Sequence, residues 1–308
     1  MALKDIRLDM ADSSWLTKFP SMERADLVAL RKAMDGGFRE FSRSYGDAIE
    51  GFFDPLLYFL VWFEKLLLNA PWIVVLAVLV GLTYAACRSW KLSGLVLGSF
   101  LLIGYFGMWA DTMRTLGIIT VATFLSLGVG IPVGITMARS DRVQSIVTPA
   151  LDIMQTMPAF VYLIPVVMLL GIGKVPGIIA VVIYAIPPVI RLTNLGIRMV
   201  DREVLEAATA FGANKTQRLW NVQLPLAMPN IMAGINQTIM MALAMVVIAS
   251  MIGVKGLGQP VLKSITNQYF TLGLLNGLAI VAIAIMFDRV SQAYAKRSQK
   301  YLGGMHGD

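Results

Sequence analysis

Seven long stretches of this 308-residue chain carry no charged side chain, and their spacing restricts the fold more than any other feature. They lie between Lys65 and Arg88, Lys91 and Asp111, Arg114 and Arg139, Asp152 and Lys174, Lys174 and Arg191, Arg218 and Lys255, and Lys263 and Asp288. About 20 apolar residues cross a bilayer core as a helix, and inside lipid a backbone must satisfy its own hydrogen bonds. The pattern predicts an all-α polytopic membrane protein of about seven transmembrane helices, with eight as the alternative. The fifth stretch has only 16 residues, so its helix is expected to continue past Arg191 with that side chain snorkelling. The sixth has 36 and opens with Leu224-Pro225 and Met228-Pro229, which places the start of its spanning part near Ile231. Pro55 to Phe63 is too short to span and precedes Glu64 and Lys65, so it reads as part of an interfacial helix over 55–68.

Composition supports this and excludes other classes. Hydrophobic residues make up 57% of the chain and charged residues 15%, against about 25% charged in soluble domains. An ordinary soluble enzyme, a disordered chain and a collagen-like chain are all excluded. Residues 1–68 hold 9 basic and 11 acidic side chains, and the other 240 hold 17 and 8. A polar tail of slight negative charge is thus joined to a basic, apolar body. Basic residues flanking apolar helices interact with lipid headgroups on the cytoplasmic side, and no cluster of basic and aromatic residues suggests nucleic acid. The single Cys87 excludes an internal disulfide and a cysteine metal site, and His306 lies in a Gly-rich terminus. Residues 1–50 contain no apolar core of a signal peptide.

Orientation follows from the loops. With seven spans, one side receives 13 of the 17 basic residues of the body, from Arg88/Lys91, Arg139/Arg142, Arg191 to Arg218, and Arg289 to Lys300. Arg114, Lys174, Lys255 and Lys263 fall on the other. The positive-inside rule makes the first side, with the carboxyl terminus, cytoplasmic and puts the amino-terminal tail outside; eight spans would put it inside.

The cytoplasmic connection Arg198 to Pro229 is the most informative segment. Val204 to Gly212 is helix-forming, and Gly212 is placed to end that helix in a left-handed cap. Lys215 to Val222 is expected to form a second short helix, stopped at Pro225. Ala207, Ala208 and Ala210 leave a shallow surface that admits a partner closely, with Phe211 and Leu205 as apolar anchors.

These residues carry a resemblance. Glu206-Ala207-Ala208, then Gly212, Val222 and Leu224-Pro225 resemble the EAA loop of permease subunits of ATP-binding-cassette importers, with Val222 where the family usually has Ile. Gln155 to Pro165, Pro187 to Asn194, Asn236 to Met240 and Gly256 to Gln259 are similar to glycine betaine/proline betaine permeases. The resemblance covers about 60–295. It implies a type I importer core over 111–295 with a coupling loop at 198–229. Around it stand a polar tail (1–54), the interfacial helix (55–68), two accessory transmembrane helices (69–110) and a cytoplasmic tail (296–308).

The resemblance further implies a bacterial inner-membrane subunit that moves glycine betaine or a related quaternary-ammonium or methylamine osmolyte, such as another betaine, choline or trimethylamine N-oxide. Transport would be by alternating access, with a second permease copy, two cytoplasmic ATPase subunits that bind ATP and Mg, and an external substrate-binding protein. Docking of the ATPases is expected at Glu206, Ala207, Ala208, Phe211, Gly212, Leu224 and Pro225. No phosphate-binding loop occurs in the chain itself: Gly173-Lys174 is followed by Val175, and Met168 stands where the first glycine would be. The chain is therefore expected to be a translocation subunit without catalytic residues, metal or cofactor of its own.

Other residues admit two readings each. Asn236, Gln237 and Thr238 either bond between helices or line the pathway, because unpaired polar groups are costly in lipid. Met157, Phe160 and Tyr162, with Met154, form either a lining suited to quaternary ammonium or ordinary helix packing. Gly256, Gly258 and Gln259, in an external loop with Gly253 and Pro260, either meet a binding protein or form a plain turn. Pro158, Pro165, Pro187 and Pro188 are expected to kink or end helices. An ion-coupled secondary transporter of small solutes is the competing function. It would normally carry carboxylates at mid-membrane depth, whereas Asp111, Asp152 and Asp288 fall at expected span ends.

Overall fold

The computed structural model describes residues 22 and 24–303, with backbone alone at 47, 50 and 295–303. Most of the first 23 residues, and His306, lie outside the described residues. The chain divides at Glu50–Gly51 into two units. All regular elements among the described residues are helical. In the first unit the described residues from Arg24 on belong to α1 (Arg24–Asn69), which ends in the second unit.

The second unit continues with α2 (Trp72–Cys87), α3 (Trp90–Tyr105), α4 (Trp109–Arg139) and α5 (Asp141–Thr156). A 3-10 turn (Ala159–Tyr162) leads into α6 (Leu163–Leu170), followed by α7 (Lys174–Ala185), α8 (Pro187–Arg198), α9 (Arg202–Ala210) and α10 (Lys215–Arg218). A π turn over Leu219–Gln223 joins α10 to α11 (Leu224–Ala249), and α12 (Gly258–Asn267) and α13 (Phe270–Gly303) complete the chain.

Each charge-free stretch contains helix, but the stretches are not equivalent rods. Four are long and apolar enough to cross a membrane: Trp109–Arg139, Lys174–Arg198, Lys215–Ile252 and Phe270–Tyr294. Two pairs meet that test only together, Gly51–Asn69 with Trp72–Cys87 across a 108° bend, and Asp141–Thr156 with Ala159–Leu170 across 112°. Trp90–Tyr105 is a shorter apolar helix.

Two expectations are corrected by the backbone, and one is met. The 55–68 segment is not a separate helix. It is the end of α1, because Leu60, Phe63, Glu64 and Leu67 recur at helical spacing and lie against Gly117 of α4 or in the core around it. The fourth stretch is broken where Pro158 was expected to end a helix: Met157 is extended (φ −67°, ψ 133°) because the ring of Pro158 disfavours helical geometry in the residue before it. The second short helix does not stop at Pro225 but runs on from Lys215 into α11. The Leu224 N–H reaches back five residues to Leu219, and this widened turn accommodates a proline that lacks an N–H and would crowd the carbonyl four residues back. As expected, the fifth stretch continues past Arg191 to Arg198, but Arg191 is ion-paired to Asp152.

Helix α11 is central, packed by α8, α13, α7 and α4, and α4 also packs closely on α8. Glycines permit that second approach. A Cβ at Gly130 would fall 2.4 Å from Val189 Cγ1, and one at Gly134 would fall 2.6 Å from Thr193 Cβ and 2.8 Å from the Ile190 carbonyl. Small residues four apart let helix backbones meet where apolar burial gives no net drive, as in lipid. The fold thus holds α8 rigidly between α4 and α11, and α8 leads directly into the α9 segment.

Candidate functional site

Helix α9 has nine residues and buries none of them. An isolated helix so short is unstable in water, so its ends must hold it. At the start, the Asp201 carboxylate accepts a hydrogen bond from the Glu203 N–H at 2.9 Å. At the end, the Gly212 N–H donates to Thr209 O at 2.9 Å and the Ala213 N–H to Ala208 O at 3.0 Å, with Gly212 at φ +86°. This pair of bonds is a Schellman cap, and the left-handed glycine is what allows the chain to turn.

The chain restarts under equally local control. The Asn214 side chain accepts from the Thr216 and Gln217 N–H groups, and Gln217 Oε1 accepts from the Asn214 N–H, forming a capping box. Arg218 then reaches back, its Nη1 donating to Thr209 Oγ1 at 3.1 Å. Glu206, Ala207 and Phe211 are exposed, Phe211 at 92%, and Ala208 is half-buried. Arg202, Leu205, Glu206, Thr209, Ala210 and Arg218 line an open groove of about 520 Å3. Leu224 lies elsewhere, packed with Ile197, Leu219, Ala227 and Ile231, where it ties the restarting helix to α8. Pro225, half-buried, sits just beyond the π turn.

Arg198 braces this region, and sequence reasoning gave it no role. Its guanidinium donates to Met137 O at 2.9 Å and Asn194 Oδ1 at 3.1 Å, and pairs with Asp141 at 2.7 Å. It thereby joins the ends of α4 and α8 to the start of α5. A cation at helix carbonyl ends is favourable, and its position in the last turn of α8 was the legible signal.

Asn236, Gln237 and Thr238 do not act as one cluster. Successive helical residues point about 100° apart, since a turn takes 3.6 residues. Asn236 Nδ2 donates to Asp288 Oδ1 at 2.9 Å and its Oδ1 accepts from Ser291 Oγ at 2.7 Å, locking α11 to α13. Thr238 is fully buried. Gln237 faces a cavity of about 440 Å3. Two helix faces line that cavity: Gln144, Thr148, Leu151 and Gln155 on α5, largely polar, and Pro188, Arg191, Leu192, Asn194 and Leu195 on α8, apolar but for Arg191 and Asn194. Their spacing of three or four residues marks one face of each helix, a signal present in the sequence but crossing the boundary between two charge-free stretches.

The aromatic trio is likewise divided. Tyr162 is buried and its hydroxyl donates to Met154 O across the break at Met157–Pro158, while its ring meets Tyr184 edge-on at 5.7 Å. Phe160 is 54% exposed, and Met157 is half-buried against the main core. In the loop after α11, Gly256 and Gly258 are buried, pressed against Thr115 and against Val247 and Ser250, and Leu257 N–H donates to Thr115 Oγ1 at 2.9 Å. Of the three residues expected to face a binding protein, only Gln259 is exposed. Around the same end, buried Glu64 of α1 pairs with Lys174 at 2.5 Å and Arg114 at 3.6 Å, and Arg114 also pairs with Asp111 at 2.8 Å. Glu64 was read as a mere flanking charge, because nothing local shows that α1 packs on α4.

Residues 130–300 match the family of binding-protein-dependent transport system inner membrane components. The chain belongs to this family. It is 42% identical over 306 residues to the glycine betaine/proline betaine transport system permease protein of Escherichia coli (strain K12), covering 94% of this chain and 85% of that protein. It is 48% identical over 232 residues to the glycine betaine/carnitine transport permease protein of Listeria monocytogenes serotype 1/2a (strain 10403S), covering 74% and 82%. In fold the permease is similar to an inward-facing form of the MetNI methionine ABC transporter, with a TM-score of 0.55 over 60% of this chain and 93% of that one at 20% identity. This permease is thus a multi-pass inner-membrane component of a transport system, and α8 to α11 fall within the matched residues.

Proposed function

We propose that the permease imports glycine betaine or a closely related methylated-ammonium osmolyte, driven by ATP hydrolysis in separate subunits that dock on α9. The observation that carries the coupling reading is a helix capped at both ends yet buried nowhere, with Phe211 at 92% exposure beside its glycine turn. A solvated helix held this firmly suits transmission of force to α8 and α11, between which it is covalently strung. The substrate class draws on the glycine betaine named for both relatives. A second permease copy, two ATPase subunits that hold ATP and Mg, and an external binding protein complete the system, with lipid around the exposed apolar faces. The α9 end, rich in Arg and Lys, faces the cytoplasm with the carboxyl terminus, and the amino-terminal tail lies outside.

The test is uptake of labelled glycine betaine by proteoliposomes holding the permease, its ATPase and its binding protein. Accumulation is expected only with ATP on the ATPase side and binding protein on the other. Glu206→Lys is expected to leave insertion intact and abolish ATPase retention and uptake. Accumulation by the permease alone under an ion gradient would refute the reading and favour a secondary transporter.

A further inference from the structure

The cavity between α5 and α8 has one charged lining residue, Arg191; its other polar groups are the neutral side chains of Gln144, Thr148, Gln155, Asn194 and Gln237. Arg191 is paired through Nη2 to Asp152 of α5, while its Nε is buried with no hydrogen-bond partner. A guanidinium offers carboxylates a two-pronged fork, and here one prong is unused. The pair is also open, with 35% of the Arg191 side chain and 57% of that of Asp152 exposed. A second pair, Arg198–Asp141, joins the same two helices beside the α9 segment and already fastens α5 to α8. Ionisable residues within spanning helices are rare and mark substrate or ion routes, and Arg191 falls inside the Lys174–Arg198 span.

We propose that Arg191 and Asp152 form a dissociable charge pair that receives a zwitterion in transit, Arg191 taking the substrate carboxylate and Asp152 facing its cationic end. This rests on the substrate class proposed above. Exchange is chemically balanced: the carboxylate of the solute replaces that of Asp152 on the guanidinium fork, and the released Asp152 meets the solute's ammonium. The neutral amides of Gln155, Gln237 and Asn194 hydrate the passage without holding the solute tightly, as a site that must release its cargo requires.

The experiment uses the complete complex in proteoliposomes, with glycine betaine as the probe and with both uptake and binding-protein-stimulated ATP hydrolysis measured. In Arg191→Gln, uptake is expected to fall at least tenfold while stimulated hydrolysis stays within about twofold of the original, so that cycles run empty. Arg191→Lys, which keeps charge but not the fork, is expected to fall between the two. The double variant Asp152→Asn/Arg191→Gln replaces the pair by neutral partners and is expected to stay defective. Recovery of uptake in that double variant would overturn the proposal and make the pair a structural strut, as would Arg191→Gln transporting like the original. Concerted loss of hydrolysis, uptake and thermal stability in Arg191→Gln would also overturn it. Should the original complex accumulate no glycine betaine, the substrate reading itself falls, and this proposal with it.

Discussion

Substituting Gly134 by alanine tests the helix contact on which the site is built. A Cβ there would lie 2.6 Å from Thr193 Cβ and 2.8 Å from the carbonyl oxygen of Ile190. Non-bonded carbons rest at about 3.5–4.0 Å, so the first contact falls short by about 1 Å. Both obstacles are a Cβ or backbone, which no rotamer change can move, and Thr193 is itself fully buried. The only relief is separation of α4 from α8. Overpacking costs about 1–3 kcal/mol, and a backbone obstacle places this case in the upper part of that range. Alanine returns about 1 kcal/mol of helix propensity, leaving a net loss of about 1–2 kcal/mol. Gly128, on the same helix, is exposed with nothing within 4 Å of its Cβ direction, so Gly128→Ala should gain up to about 1 kcal/mol. The assay is unfolding of the purified permease in mixed micelles by sodium dodecyl sulfate, followed by far-UV circular dichroism. The midpoint is expected to fall for Gly134→Ala and to hold or rise for Gly128→Ala. A Gly134→Ala midpoint at or above that of Gly128→Ala would refute the close approach of α4 to α8.

Gly212→Ala meets no neighbour but must adopt φ +86°, at a cost of about 1 kcal/mol confined to α9; global unfolding should be unchanged while ATPase co-purification drops, and a shifted unfolding midpoint would contradict this. Glu64→Gln leaves Lys174 and Arg114 without their buried partner, and since both are about 30% exposed the loss is about 1–3 kcal/mol. It should shrink when Lys174→Met is added, as a double-mutant cycle would report. Asn236→Ala removes the bonds to Asp288 and Ser291 and should cost about 1 kcal/mol in the same unfolding assay; an unchanged midpoint would show that the α11–α13 bonds are not formed.

How much of this was legible depends on the range over which each feature is decided. The Gly212 cap could be read because a left-handed turn is chosen by the residue itself and the bonds close within five residues. The break at Pro158 was legible for the same reason: a ring without an N–H acts on its immediate neighbour. Pro225 misled because its local effect was absorbed by a π turn that the flanking helix packing supports. Glu64 and Asp152 misled differently. Each looked like a flanking charge, and each has a cationic partner far away in sequence.

The sequence by itself determined that the chain is a helical membrane protein, which end of it is basic, and where its short α9 helix ends. Spans follow from apolar length and caps from local hydrogen bonds, both short-range properties of the chain. Only the tertiary structure decided which polar residues share a cavity, which glycines are structural and which charges are paired. Those outcomes depend on the rotation and spacing of helices packed against one another. A one-residue step turns a side chain about 100°, so Asn236, Gln237 and Thr238, adjacent in sequence, end on a helix seam, a cavity wall and a buried core.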